Sequence, residues 1–170
     1  MLYEAQMVVM MALIVYMDKR VQFSRLVLWA LGIWGFLHLA GGLIPIPDNI
    51  ADLDDGDPTD AVQVLYNMRI SPYLPRYDQM IHAFGFGTCA ILAREALQAH
   101  LARPVPINLA MGAVVFLIAL GLGAVNELIE FAAVMLIPDT NVGGYINTGW
   151  DLVSNSVGAG LALIFMKLRD

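Results

Sequence analysis

The chain has 170 residues, 59% of them hydrophobic and 14% charged, with a mean hydropathy of +0.68 and a formal net charge of −6. Soluble domains carry about 45–50% apolar and about 25% charged residues, so this is a membrane composition and excludes an ordinary soluble domain. The one cysteine, Cys89, excludes an internal disulfide framework and a thiolate metal site, and the length suits a single helical bundle over 1–170.

The first apolar segment, Leu2–Met17, is short against the about 20 residues that cross a bilayer core, and it ends at Asp18-Lys19-Arg20. It has no basic n-region and no small-residue cleavage site, so it reads as a retained span and not a signal peptide. Its Met7, Met10, Met11 and Met17 suit adaptable packing against lipid or a partner. The second segment, Val21–Ile44, carries His38 and stops at Pro45 and Pro47, which cannot continue a helix. An acidic run, D-N-I-A-D-L-D-D-G-D-P-T-D (Asp48 to Asp60), follows. Laid on a calcium-loop template from Asp52, it has Gly56 at position 5 and Gln63 where the bidentate Glu belongs, so it reads as a solvated loop. The third segment, Tyr77–Ala99, carries Asp78 and His82 in its first turns. The fourth, Ile107–Ile137, carries Glu127 and Glu130 near its end, and the fifth, Trp150–Leu168, opens on Asp151 and Asn155. Prolines 72, 75, 104, 106 and 138 punctuate the connections. Spanning segments must be helical, because the bilayer core holds no water to satisfy an open backbone. The expectation is an all-α, polytopic bundle of five transmembrane helices.

Orientation follows from the basic residues. Five spans place Lys19, Arg20, Arg25, Arg94, Arg103, Lys167 and Arg169 on one side and only Arg69 and Arg76 on the other. The positive-inside rule makes the first side cytoplasmic, so the N-terminus is expected outside and the C-terminus inside. Tyr66, Tyr73, Tyr77, Tyr145 and Trp150 then gather at the outer boundary as an aromatic belt.

In this layout His38, Asp78, His82, Glu127, Glu130, Asp151 and Asn155 all lie within roughly 3–15 Å of the outer ends of their helices, at 1.5 Å per residue. Asp78 and His82 are i,i+4, Glu127 and Glu130 are i,i+3, and Asp151 and Asn155 are i,i+4, so each pair shares one helical face. A charge facing lipid at that depth costs about 2.5–3.5 kcal/mol or more, so the faces are expected to turn inward and meet. Gly85, Gly87, Gly121, Gly123, Gly158 and Gly160 are candidates for the close helix approach this needs. Four carboxylates in one poorly solvated layer cannot all stay ionised without a cation, a proton or an arginine, for which Arg76 is better placed than Arg69.

The bland reading of this layer is hydrogen-bonded glue that fixes helix register. The sharper one is a metal or acid–base site, since intramembrane ionisable groups are functional by default. In it, His82 is general base or ligand, Asp78 its orienter and Glu127 a ligand or proton carrier. The metal set would draw on His38, His82, Glu127, Glu130 and Asp151. Such ligands suit a divalent metal such as Zn, Fe or Mn, although the spacing matches neither the E-x-x-H pairs of di-iron bundles nor H-E-x-x-H. Ser154 and Ser156 lack a neighbouring base and read as packing residues.

L-H-L-A-G-G (37–42), R-Y-D-Q-M-I-H-A-F-G-F-G (76–87), A-R-E-A-L (93–97), N-E-L-I-E-F (126–131) and G-W-D-L-V-S-N-S-V-G-A (149–159) occur in that order. The pattern resembles the YjdF-like family of small bacterial inner-membrane proteins, and its tail is similar to the VanZ-like family. The Arg-Asn that the YjdF-like motif carries before Tyr-Asp is displaced here, and Asn155 stands near where that pattern has a second acid. The resemblance implies a five- or six-helix membrane protein and no particular activity.

The function expected is an integral membrane protein with an inward-facing His/Asp/Glu cluster near the extracytoplasmic surface, acting on a lipid-linked or polar-headgroup substrate. The alternative is a non-catalytic accessory or scaffold subunit of a larger membrane complex. Expected partners are membrane lipids and other membrane protein subunits, not nucleic acid.

Overall fold

The structure, a computed structural model, describes residues 2–47, 50–51, 63–136 and 144–170. Among them the chain forms five α-helices: α1 (Leu2–Val21), α2 (Arg25–Leu43), α3 (Tyr77–Gln98), α4 (Leu109–Leu136) and α5 (Tyr145–Arg169). The acidic run at 48–60 lies, apart from residues 50 and 51, outside the described residues. α2, α4 and α5 are long and apolar enough to cross a membrane.

The helix ends depart from the apolar boundaries for local reasons. α1 runs on through Asp18-Lys19-Arg20, since Lys19 and Arg20 lie in its last turn, where cations favour the negative end of the helix dipole. It stops at Gln22, whose φ of 56° is left-handed, with the Gln22 N–H bonded to the Asp18 carbonyl at 2.8 Å and the Phe23 N–H to Asp18 Oδ1 at 2.8 Å. α2 starts at Arg25 because Ser24 caps it, the hydroxyl accepting from the Val27 N–H. Asn108 caps α4 in the same way through the Met111 N–H. α5 begins five residues before Trp150, so its first turn carries Asn147 and Thr148, polar residues that apolar content alone cannot assign to a helix.

Cross-links at the ends set the helix directions. Tyr77 and Tyr66 donate their hydroxyls to the carbonyls of Leu37 and His38, tying the end of α2 to the start of α3. At the opposite end the Ser24 N–H donates to Glu95 Oε2 at 2.8 Å, so α2 and α3 run antiparallel over their whole length. Asp170 accepts from the Ile107 N–H and pairs with Arg94, while Lys167 donates to the Ile107 carbonyl, which pins the end of α5 to the start of α4 and the end of α3. The Ile107 N–H, and Arg94 after it, hold the Asp170 carboxyl below the usual carboxylate range. This contact is therefore kept above that range and lost as pH falls through the lowered value. α3 and α5 run parallel, with α2 and α4 antiparallel to them.

α3 is the central helix, touching α2, α4 and α5, and its most extensive contact is with α5. Small residues make that contact close. Ala90, Ala93, Ala119, Ala159 and Ala162 are buried where α3, α4 and α5 meet. A side chain at Gly158 would overlap the backbone of Ala83, and one at Gly87 would stand 3.0 Å from the Gly158 carbonyl oxygen. Gly121 and Gly160, expected to serve the same purpose, face open space. α4 buries only a narrow stripe (Gly112, Val115, Ala119, Gly123, Asn126, Glu127, Ala133) and exposes the rest of its apolar surface. The larger side chains pack between α2, α3 and the connecting segment, where Val27, Leu31, Trp34, Tyr66, Ile81 and Phe86 form a core and Cys89 fills a gap. α1 packs chiefly on α2, and Val8, Val9, Met11, Leu13, Val15 and Tyr16 of α1 are exposed.

The Gly158 contact yields a direct comparison. Gly158→Ala must force α3 and α5 apart and should lose about 1–3 kcal/mol, the usual cost of overpacking. Gly160→Ala, with nothing within 4 Å of its added methyl, should be neutral or slightly stabilising. Unfolding of both variants in mild detergent measures the difference, and equal stabilities would contradict the crossing described.

Candidate functional site

The polar residues gather where α3, α4 and α5 meet, near the starts of α3 and α5. His82 is the pivot, one residue before Ala83 at the point where α3 presses on Gly158. It is 3% exposed, and its two ring nitrogens face different neighbours. Nε2 lies 3.6 Å from Asp78 Oδ1, one helical turn back. Nδ1 lies 3.1 Å from Asn155 Oδ1 and 3.8 Å from Glu127 Oε1.

Asn155 is fully buried on α5, and the missing side chain of Gly123 on α4 makes room for it: a Cβ there would stand 2.6 Å from Asn155 Nδ2. An amide oxygen can only accept, so the Nδ1 hydrogen of neutral His82 belongs to Asn155. Nε2 is left facing Asp78, with a proton as an ion pair or with a lone pair open to a cation. A lone pair facing a carboxylate at this distance is repulsive unless a cation or a proton lies between them.

Around that position the carboxylates are held by one amide. Asn147 donates through Nδ2 to Asp78 Oδ2 at 3.2 Å and to Asp151 Oδ2 at 2.7 Å, using both of its N–H groups. Its own Oδ1 accepts from Nη1 of Arg76, a buried arginine at the N-terminus of α3. Asp151 is fully buried, and its Oδ1 has no hydrogen-bond partner among the described residues. On the other side of the imidazole, Glu130 Oε1 accepts from Asn126 Nδ2 at 2.7 Å, while both carboxylate oxygens of Glu127 are buried without a hydrogen-bond partner among the described residues.

Two three-residue sets follow, each with ligand atoms within 4.8 Å of one another: Asp78, His82 and Asp151, and His82, Glu127 and Glu130. Of the seven residues expected on one layer, these five and Asn155 lie together. His38 belongs to neither set. It is buried with its ring between Trp34 and Tyr66, at centroid distances of 5.8 and 5.5 Å. Asn147 and Asn126 were missed by sequence reasoning, although a signal was present: Asn147, Asp151 and Asn155 repeat at i, i+4 and i+8. Asn147 and Asn126 carry no charge, so the cost of a charge facing lipid does not single them out. Arg76 does enter the layer, where it donates to Asn147 and lies within electrostatic reach of Asp151.

Buried oxygens left without donors, beside an imidazole nitrogen, form a donor set that fits a cation. Three protein ligands also leave coordination positions open, as catalytic metal sites do. The amides of Asn155 and Asn147 stand where outer groups orient first ligands.

A family model described as "Predicted membrane protein (DUF2238)" matches residues 1–170. No curated protein and no solved structure matches the chain.

Asn147 supplies the test of this network. Asn147→Leu strips the shared donor from two carboxylates and should cost about 1–3 kcal/mol of stability, the penalty for orphaned buried groups. Thr148→Ala, one residue on, should cost far less. Parallel unfolding curves check the pair, and an Asn147→Leu variant as stable as the parent would mean that the amide does not hold the site.

Proposed function

The chain belongs to the DUF2238 family of predicted membrane proteins, and on that premise we propose that it carries a divalent cation at Asp78, His82 and Asp151, on the extracytoplasmic side of a five-span bundle. The observation that carries this reading is the fully buried Asp151, with an oxygen that no described residue satisfies, beside an imidazole whose partner on Asn155 commits its other nitrogen. Two carboxylates and one imidazole suit Zn, Fe or Mn, and the open positions would polarise an oxygen of a polar headgroup or generate a bound hydroxide. Glu127 and Glu130 lie across the ring, where they would accept or return a proton or hold the cation in a second position. The ordered motifs shared with YjdF-like proteins support an inner-membrane location.

Spanning by all five helices is supported by the end-to-end pairing of α3 with α2 and α5. α3 has 22 residues, about 33 Å at 1.5 Å per residue, and matches the apolar spans beside it. It is less apolar because it is the helix that carries Asp78, His82, Arg94 and Glu95 into contacts with its neighbours. The basic residues favour N-outside and C-inside. The reading as an accessory subunit draws on the exposed apolar side chains of α1, which a partner helix or lipid would cover.

Elemental analysis of protein purified without chelators should find close to one equivalent of a transition metal. Asp151→Asn and His82→Gln should lose it, and chelation should lower the melting temperature of the parent and not of these variants, because a ligand bound only to the folded state stabilises by mass action. A metal-free parent that is indifferent to chelator, or an Asp151→Asn variant that still holds metal, would refute the assignment.

Topology is tested with the native Cys89 buried and silent. Tyr73→Cys should react with an impermeant thiol reagent in intact cells, and Arg103→Cys should react only after lysis. The reverse pattern would invert the orientation.

A further inference from the structure

Below the cluster, between α2, α3 and α5, lies a groove of about 400 Å³. Its walls include Val27 and Ala30 of α2, Phe84 and Ile91 of α3, and Leu161 and Phe165 of α5. The one hydroxyl in its lining, on Thr88, is turned back to the carbonyl of Phe84 at 2.9 Å. The groove exists for the same reason as the cluster. Where α3 and α5 touch through Ala83, Gly87 and Gly158, no side chains fill the surface beside the contact, and α2 closes the third side.

Its place relative to the cluster is fixed by helical spacing. On α5, Asp151, Ser154, Gly158, Leu161 and Phe165 recur at intervals of three and four residues and so form one stripe. The stripe is polar at the cluster end and apolar along the groove. On α3 the groove extends from Ala83 to Ile91, about 12 Å of helix, and Asp78 lies about 7–8 Å above its head. Asp78 is also a half-turn around the helix from Gly87, so the link to the cluster runs along α5 through Asp151. A ligand filling the groove is thus apolar over its lower part, and its upper end arrives at the level of Asp78 and Asp151.

We propose that the groove seats an acyl chain of a phosphate-bearing membrane lipid, whose headgroup phosphate is the ligand of the cation at Asp78, His82 and Asp151. The headgroup half of this proposal rests on the cation reading above. The chain fits because the lining makes no polar demand and the volume lies in the range of ligand pockets. The phosphate fits because a divalent cation with open positions takes anionic oxygen, whereas the bare carboxylates would repel it.

The probes are phosphatidylglycerol and diacylglycerol with the same acyl chains, added to detergent-solubilised protein and counted by native mass spectrometry with and without Mn²⁺ or Zn²⁺. The parent should retain one phosphatidylglycerol, bound more tightly with metal, and diacylglycerol should bind without any metal effect. Ala30→Phe or Leu161→Trp, which fill the groove away from the α3–α5 contact, should weaken retention of both lipids by about tenfold, a loss of about 1.4 kcal/mol, at an unchanged melting temperature. Retention equal to the parent in both variants would overturn the proposal, as would a dimer that Ala30→Phe dissociates, which would make the occupant a second copy of the chain. Metal bound with no lipid retained would overturn the groove assignment alone. No metal in the protein, with lipid still expelled by Ala30→Phe, would overturn the cation reading and leave the chain in its groove.

Discussion

The arrangement depends on the backbone contact between Ala83 of α3 and Gly158 of α5. In lipid there is no hydrophobic force between helices, because acyl chains are as apolar as the side chains they would displace, so association relies on close packing and hydrogen bonds. A glycine at the crossing lets two backbones meet, and the buried alanines on either side extend the fit. The polar contacts of the site lie within about three helical turns of that point. His82 precedes Ala83 and Asn155 precedes Gly158 by one turn, so closing the backbone gap also closes the imidazole–amide bond at 3.1 Å. The same absence of side chains opens the groove on the adjoining face.

Once the helices are that close, electrostatics limits what the layer can contain. Asp78, Glu127, Glu130 and Asp151 converge on one imidazole, with Arg76 bonded to Asn147 beside them. Two amides, Asn126 and Asn147, donate to three of these carboxylates. An amide orients a carboxylate and satisfies part of its acceptor capacity, but leaves its charge in place. Asn155 holds Nδ1 of His82 and leaves Nε2 facing Asp78. The cluster is thus ordered in shape while still short of positive charge, which is how a cation-binding site differs from a network that is complete in itself.

The bilayer as solvent changes the meaning of exposure. Phe36, Leu117, Leu128 and Leu161 are exposed and need no partner protein, since their medium is hydrocarbon. What stands out against such a surface is an apolar groove with a polar group above it on the same helical stripe. The α5 stripe from Asp151 to Phe165 has this character, and lipids share it: an anionic end joined to an apolar chain.

The sequence by itself determined the number and order of the helices and the sharing of faces within Asp78–His82, Glu127–Glu130 and Asp151–Asn155. These properties are one-dimensional. Apolar runs count residues against a fixed bilayer thickness, and the 3.6-residue period assigns a face from spacing alone. Only the tertiary structure decided which faces meet, because the rotation of one helix against another depends on where two backbones can approach, and glycines at 121 and 160 look no different in sequence from those at 123 and 158. It set His38 in tilted and edge contacts with Trp34 and Tyr66, outside the two three-residue ligand sets but within electrostatic reach of His82 and Asp78. It also drew in Asn147, whose helical turn no apolar run marked, because a buried pair of carboxylates needs a donor between them and the first turn of α5 is what lies there.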